Sequence, residues 1–355
     1  MASVWMGKVA NVYTAHVFSL HGHTRPITKL RYTPDGDYII TGSTDGYTHM
    51  WTSINGQFVQ TFGPIGSEGD PGTIASDQGI AVSDFTVSSD GEYVAVSHVL
   101  DFIALYKVTG DRAYIKTYKF PEITAYSAIQ YSRDGRRLFV GGRLIMKSKA
   151  GILVLDASDP KDVKCTKIKC MSEDVTCIAL SPLDDYLVVG FASGVVQLFD
   201  AETLEPYSKM KDPIVVGNGQ IMSIQLYNNS MFTICCSDKK IVILGAKTLT
   251  VLKKVSTEYP VHCCAIHPNI PNLMVYAGGM DSKIVTQTTH IENTFKLFFI
   301  DIAQDVKLGS IQAHVGPVHD LAFNPNGEDL VSCSEDSTTF LIKVGKDFKN
   351  YNFIK

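Results

Sequence analysis

The 355-residue sequence lacks most features that mark a secreted, membrane or metal-binding protein. No apolar run approaches the roughly 20 residues that a membrane helix needs. The start, MASVWMGKVANVY, has no charged segment followed by an apolar one, so we expect no secretion signal. None of the eight cysteines forms a Cys-x-x-Cys pair, and the spacing of Cys165 and Cys170 fits no common zinc pattern. We therefore expect reduced, mostly buried thiols, no metal, no cofactor and a cytoplasmic location.

The sequence also lacks strong charge of either sign and the motifs of common enzymes. A formal net charge of −4 gives no global attraction to nucleic acid or to an anionic membrane. There is no Gly-rich phosphate loop and no His-Glu-x-x-His motif. Acidic residues such as Asp84 and Asp90 are expected in or beside turns, where Asp bonds the local backbone. We therefore expect no catalytic residues and no enzyme.

What the sequence does contain is a repeated unit, clearest in residues 21–57. An apolar run ending at Tyr32 precedes the turn Thr33-Pro34-Asp35-Gly36-Asp37, which joins it to a β-branched run. Similar turn segments begin at residues 33, 88, 132, 181, 227, 267 and 324. The first and third strands around each turn also occur seven times, with a period-two alternation of apolar and polar residues.

Four-stranded repeats of about 40–45 residues with Gly-His and Trp signals are typical of WD40 β-propellers. We therefore predict an all-β, seven-bladed propeller of four-stranded antiparallel sheets, forming a single domain over residues 1–355. The repeats are expected at approximately 21–62, 63–118, 119–166, 167–211, 212–254, 255–311 and 312–355. Residues 1–20 are expected to be an extension whose strand, VYTAHVFSL, closes the ring in the last blade. The C-terminal segment FKNYNFIK is the alternative closing strand.

Three segments depart from the repeat. Residues 63–80 contain five glycines and two prolines, and we interpret them as a mobile surface loop that replaces the outer strand expected before the second blade. Residues 141–151 and 278–296 form longer connections in the third and sixth blades.

His23, with Thr41 or Ser43, Asp45 and Trp51, combines the side chains of a catalytic triad. In WD40 repeats these residue types form a structural hydrogen-bond chain instead, from Asp to His to hydroxyl to indole. His314, Ser332 or Ser334, and Asp336 repeat the arrangement without a Trp. Because a nucleophile would not be duplicated in several blades, we interpret both sets as structural.

The third blade is the most basic part of the chain, with Arg133, Arg136, Arg137, Arg143, Lys147 and Lys149. A solvated loop face is one interpretation, and contact with RNA phosphates or an acidic peptide is the other.

Specific residues resemble the subunit I family of eukaryotic translation initiation factor 3. The resemblance is carried by Gly278-Gly279, Val285-Thr286, Thr288-Thr289, Phe295-Lys296, Phe298-Phe299 and Gly316-Pro317. The segment Gly22-His23-x-Arg25-Pro26-Ile27-Thr28 and Ser53-x-Asn55-Gly56 are similar to the family's opening, and Met146-Lys147 before Gly151 is similar to its third-blade insertion. The clear similarity covers about half the chain, and the second blade and residues 1–19 depart from it.

The resemblance implies a non-catalytic scaffold protein that supports initiation complex assembly and scanning on the small ribosomal subunit. It implies two binding partners within the same factor, its subunits B and G. The first would place a C-terminal helix, here called the docking helix, on blades five and six, and the second would contribute an N-terminal segment. One family Asp of the helix contact corresponds to Asp238, while the position of the other is occupied by Ser223. The neighbouring candidates for this contact are Ile221, Met222, Lys239 and Lys240.

Two alternatives stay open. Another WD40 adaptor, such as a ribosome-bound or signalling scaffold, should carry Trp-Asp in most blades, whereas only Trp51 stands at that position here. A propeller hydrolase or lactonase would require carboxylates or histidines converging on the channel. The innermost strands are expected to offer mainly Ile, Val, Ala and Ser.

Overall fold

The chain forms a ring of seven antiparallel sheets around a central channel. The computed structural model describes residues 8–9, 12–63, 79–100, 102–145, 149–270, 272–279 and 295–344. Within these ranges every regular element is a β-strand, so no helix there is long and apolar enough to cross a membrane. The predicted seven-bladed propeller is confirmed.

Blades one to three are consecutive four-stranded sheets in which each strand pairs with the next along the chain. Blade one contains β3 (Ile27–Tyr32), β4 (Tyr38–Ser43), β5 (Thr48–Thr52) and β6 (Phe58–Phe62). Blade two contains β7 (Val82–Val87), β8 (Tyr93–His98), β9 (Phe102–Lys107) and β10 (Tyr114–Lys119). Blade three contains β11 (Tyr126–Tyr131), β12 (Arg137–Gly142), β13 (Ala150–Asp156) and β14 (Lys164–Met171).

Blades four to six repeat this order. Blade four contains β15 (Val175–Leu180), β16 (Tyr186–Phe191), β17 (Val195–Asp200) and β18 (Ile214–Val215). Blade five contains β19 (Ile221–Tyr227), β20 (Met231–Cys236), β21 (Lys240–Gly245) and β22 (Val251–Ser256). Blade six contains β23 (Val261–Ile266), β24 (Leu273–Gly278), β25 (Lys296–Asp301) and β26 (Val306–Gln312).

Blade seven closes the ring with strands from both ends of the chain. It contains β27 (Val318–Phe323), β28 (Asp329–Ser334), β29 (Thr339–Val344), β2 (Val12–Leu20) and β1 (Lys8–Val9). β2 pairs antiparallel with β29, with Leu20 opposite Thr339, and β1 adds a short fifth strand beside β2. The prediction that VYTAHVFSL closes the ring is therefore confirmed, and the segment FKNYNFIK lies outside the described residues.

The first strand of every blade faces the channel, and neighbouring first strands contact each other around the whole ring. All seven run in the same direction, so the turns after them lie on one face of the disc, here called the first face. Turns between second and third strands lie on the opposite, second face. Several first-face turns need a positive φ, which glycine supplies at Gly36 (φ 80°) and Asp184 adopts at 57° in blade four.

The hydrophobic core consists of seven clusters, each built where neighbouring sheets pack face to face. Phe85 of β7, for example, is fully buried between blades one and two. Gly42 of β4 permits this contact, because a Cβ there would lie 2.9 Å from Val82 and 3.1 Å from Phe85. Six of the eight cysteines are buried as free thiols, while Cys165 is half-buried and Cys170 exposed.

Two expectations about local structure are wrong. Residues 63–80 do not replace an outer strand, because β6 and β10 complete blades one and two; the segment connects those two sheets, and its residues 64–78 lie outside the described ranges. Asp84 does not lie in or beside a turn. It is the third residue of β7 and only 5% exposed.

Candidate partner surfaces and the central channel

The His23 set forms a buried chain of hydrogen bonds across blade one. His23 Nδ1 lies 2.9 Å from Asp45 Oδ2, and His23 Nε2 lies 2.9 Å from Thr41 Oγ1. The indole N–H of Trp51 donates to the same Thr41 oxygen at 3.1 Å. Ser43 takes no part in this chain and donates to the carbonyl of Pro26 instead. Because each polar group is occupied by another, the arrangement can hold strands together and has no free nucleophile.

Blade seven repeats the chain around His314. Its Nε2 lies 2.9 Å from Ser332 Oγ and its Nδ1 lies 3.1 Å from Asp336 Oδ2, while Ser334 donates to backbone carbonyls. Burial raises the pKa of the Asp336 carboxyl, but hydrogen bonds from His314 and Thr338 outweigh it and hold the pKa well below its usual range. Both blades thus use the first hydroxyl of the second strand, Thr41 or Ser332, as the partner of histidine.

The candidate contact residues of blade five lie on and beneath the second face. Asp238 stands in the turn between β20 and β21, where its Oδ2 accepts from Lys240 Nζ at 2.9 Å and from the Asn218 N–H at 3.1 Å. These bonds lower the pKa of Asp238. Gly217 allows the preceding segment to approach, because a Cβ there would lie 3.0 Å from Asp238 Oδ2. The carboxylate stays 38% exposed and keeps its charge available to a partner.

Only part of the predicted contact set reaches the surface. Lys239 is exposed, and Met222 and Lys240 are half-buried beside Asp238. Ile221 and Ser223 are buried in β19, and the Ser223 hydroxyl has no hydrogen-bond partner among the described residues. These two side chains therefore support the surface and do not form it.

Sequence reasoning missed an apolar groove between blades five and six, on the first face. The groove has a volume of about 390 Å³. Its lining includes Met231, Ile243, Leu252, Pro268 and Ile302, and Leu252 is 52% exposed. No sequence pattern within one blade reveals it, because its walls come from two sheets. Asp238 lies at the far end of β20 from this groove, a distance of roughly 20 Å at about 3.3 Å per strand residue.

The basic residues of blade three do not form one patch. Arg136 and Arg137 lie at the first-face end of β12, where Arg137 pairs with Glu202 at 2.5 Å and covers the Phe139 ring. Arg143 and Lys149 lie at the second-face end, and Lys147 is outside the described residues. Arg133 donates to Asn229 of blade five.

The largest departure from the sequence prediction is a set of charged side chains in the channel. Arg31 Nη2 lies 3.4 Å from Asp84 Oδ1, and Arg31 Nη1 lies 3.8 Å from Asp320 Oδ2. Lys29 stands on the same strand as Arg31. Burial lowers the pKa of Lys29, but Asp320 and Asp84 outweigh it and raise the pKa above its usual value. The expectation that the innermost strands offer mainly Ile, Val, Ala and Ser is therefore wrong.

A signal for this cluster was present in the sequence. The third residue of the first strand is Ala128, Cys177, Ser223 or Cys263 in four blades, but Lys29, Asp84 or Asp320 in the other three. A charge at a position that is small elsewhere marks a paired group. Both carboxylates accept backbone N–H groups of the next blade, Asp84 from Ile129 and Asp320 from Leu30. They thus join neighbouring blades. No group of three or more His, Cys, Asp or Glu side chains suited to a metal ion occurs within the described ranges.

Comparisons with known proteins agree with this architecture. The family model "WD domain, G-beta repeat" matches residues 14–52 and 305–342, and "RSE1/DDB1/CPSF1 second beta-propeller" matches residues 141–262. Eukaryotic translation initiation factor 3 subunit I of Nematostella vectensis is 26% identical over 322 residues, covering 90% of this chain and 93% of the relative. The Neurospora crassa protein of the same name is 27% identical over 340 residues, covering 94% and 93%. The Homo sapiens protein is 26% identical over 324 residues, covering 89% and 93%.

Proposed function

We propose that this chain, a divergent WD40 propeller resembling subunit I of eukaryotic translation initiation factor 3, is a non-catalytic scaffold within that factor. The similarity extends over about nine tenths of both chains, and this single observation carries the proposal. Its partners are then subunits B and G, and through them the small ribosomal subunit, in the cytoplasm. The seven-bladed ring suits this role, because a rigid disc offers several surfaces to several partners.

Copurification tests the assignment. The tagged full-length protein, recovered from its own cells, should bring down other components of the initiation factor in stoichiometric amounts. Recovery of a different stable complex, with no initiation-factor component, would show that the chain is another WD40 adaptor.

Within this proposal, the docking helix contacts blades five and six. The groove between these blades supplies apolar surface, and the turn at Asp238 supplies an exposed carboxylate. An amphipathic helix docks by placing its apolar face in such a groove. A helix of about 14 residues, at 1.5 Å per residue, spans the roughly 20 Å between the two features.

The variant Asp238→Lys tests the polar end of this contact. Reversing an exposed charge places two cations against each other if the helix presents a basic residue, so we expect affinity for the docking helix to fall at least about tenfold. Calorimetry with the helix as a synthetic peptide measures this. Asp162→Lys is the matched control, because Asp162 is likewise exposed and pairs with Lys164, two residues later, on blade three. Equal affinities of both variants would remove Asp238 from the contact.

The variant Leu252→Asp tests the apolar end. Placing a carboxylate in the groove should abolish insertion of an apolar side chain, with an expected loss of more than about tenfold in affinity. Ile168→Asp is the control, because Ile168 is a similarly exposed aliphatic residue (43%) on the outer strand of blade three. If Leu252→Asp binds as tightly as Ile168→Asp, the helix does not occupy this groove.

A further inference from the structure

The first-face end of the channel opens into a cavity of about 420 Å³. This volume lies within the range of about 300–1,000 Å³ that is usual for small-molecule sites. The fifth residue of the first strand lines the cavity in six blades: Arg31, Thr86, Gln130, Ala179, Gln225 and Ala322. The cavity is therefore built by the ring as a whole, and it is separate from the surfaces of blades five and six.

The side chains at this level offer hydrogen-bond donors that are only loosely occupied. Gln225 Nε2 donates to Asp320 at 3.4 Å, and Gln130 Nε2 donates to the Tyr131 carbonyl at 3.3 Å. Arg31 reaches its two carboxylates at 3.4 and 3.8 Å. These distances exceed the usual 2.7–3.2 Å of a hydrogen bond, and a guanidinium has five N–H groups. Further N–H groups of all three side chains are thus available at the cavity.

The two carboxylates beneath the cavity are already satisfied. Asp84 accepts the N–H groups of Phe85 and Ile129, at 2.9 and 3.1 Å. Asp320 accepts those of Leu321 and Leu30, at 3.0 and 3.3 Å. A cationic guest would have to compete with these backbone donors as well as with Arg31, so the arrangement favours an anion.

The charge balance limits which anion fits. Lys29 and Arg31 offset Asp84 and Asp320, and Arg133 at the cavity wall adds one positive charge. One excess positive charge matches a singly charged group better than a phosphate dianion. A planar guanidinium flanked by amide N–H groups also matches the geometry of a carboxylate.

We propose that the first-face cavity of the channel binds a carboxylate group, with Arg31 as its main partner and the Gln130 and Gln225 amides as further donors. The carboxylate belongs either to a small organic acid or to an acidic side chain of a peptide. Both sources present the same group to the same donors. The site is independent of the proposed role in translation, which stands or falls on copurification.

Titration calorimetry on the full-length protein tests the proposal with three probes: succinate, a hexaglutamate peptide and inorganic phosphate. We expect succinate or hexaglutamate to bind more tightly than phosphate. Binding of succinate identifies a small acid as sufficient, and binding of hexaglutamate alone identifies an acidic segment. Tighter binding of phosphate, or no binding of either carboxylate at millimolar concentration, overturns the proposal.

Variants assign the binding to the cavity. Arg31→Gln should weaken carboxylate binding at least about tenfold, because it removes a charge-assisted pair. Lys164→Gln is the control, because it makes the same change on the exposed rim of blade three, and it should bind as the parent does. If Arg31→Gln does not fold, as judged by its thermal melt, the double variant Gln130→Leu and Gln225→Leu replaces it with the same expected direction. Unchanged binding in the folded cavity variant places the carboxylate elsewhere.

Discussion

At the scale of single residues, buried polar groups depend on one another, and Thr41 is the centre of the densest set. Its hydroxyl serves both His23 and Trp51 within 3.1 Å. Ser332, the corresponding residue of blade seven, serves only His314, because Ile342 occupies the place opposite Leu330 that Trp51 occupies opposite Ile39. The two blades therefore differ in how many buried groups one hydroxyl satisfies.

Thr41→Val should cost more stability than Ser332→Ala. The first change leaves two buried groups without a partner, and the second leaves one, at about 1–3 kcal/mol for each group. We expect losses of roughly 2–4 and 1–2 kcal/mol in the free energy of unfolding, measured by urea denaturation at neutral pH. Equal losses would show that the indole bond to Thr41 contributes nothing.

His98 gives the protein a dependence on pH. Its Nδ1 donates to the Ile80 carbonyl at 2.8 Å, and its Nε2 is buried with no partner among the described residues. Burial lowers the pKa of His98 to about 4, against 6.5 for an ordinary histidine. Between these values the unfolded chain binds a proton that the folded chain does not, so stability falls as the pH falls from 6.5 towards 4.

The variant His98→Leu should therefore reduce the pH dependence of unfolding. Each such histidine contributes a slope of up to about 1.4 kcal/mol per pH unit in this window. His49, whose pKa burial also lowers to about 4, keeps its own contribution. Thermal melts of both proteins at several pH values between 4 and 7 measure the slopes. The prediction is wrong if His98→Leu and the parent protein lose stability in parallel.

At the scale of strands, β2 is the element on which the ring depends. It covers the outer edge of β29, and Leu20 belongs to the apolar cluster between blades seven and one. Removing it exposes a strand edge and opens that cluster to water.

Deleting residues 1–20 should therefore lower the melting temperature strongly and cause aggregation. Deleting residues 1–7, which precede β1, is the matched control and should preserve the melt. Light scattering during a thermal ramp distinguishes the two. A soluble, unshifted melt for the longer deletion would show that the ring closes without β2.

At the scale of the whole molecule, the sequence was sufficient for the architecture but not for the channel. The first strands ITKLRY and VHDLAF were predicted as Ile27–Tyr32 and Val318–Phe323, because strand alternation and turn chemistry are local. The pairing of Arg31 with Asp84 and Asp320 depends on closure of the ring. Leu30 and Asp320, which share a hydrogen bond, are 290 residues apart in the chain.

The candidate partner surface was partly predictable for the same reason. Asp238 and Lys239 occupy a tight turn, so their exposure follows from local sequence. Whether Ser223 is exposed depends on the neighbouring sheet, which covers it. The groove at Leu252 exists only where blades five and six meet.

The pairing of β2 with β29 also determines when the fold can be completed. During synthesis from the N-terminus, β2 emerges first and its partner almost last, since Leu20 pairs with Thr339. Pairing between such distant segments is slow, and unpaired strand edges in the meantime favour aggregation. The nascent chain must therefore keep an open, six-bladed arc soluble until its final repeat leaves the ribosome. Conditions that slow elongation near residue 340 should lengthen the period in which this protein needs a chaperone.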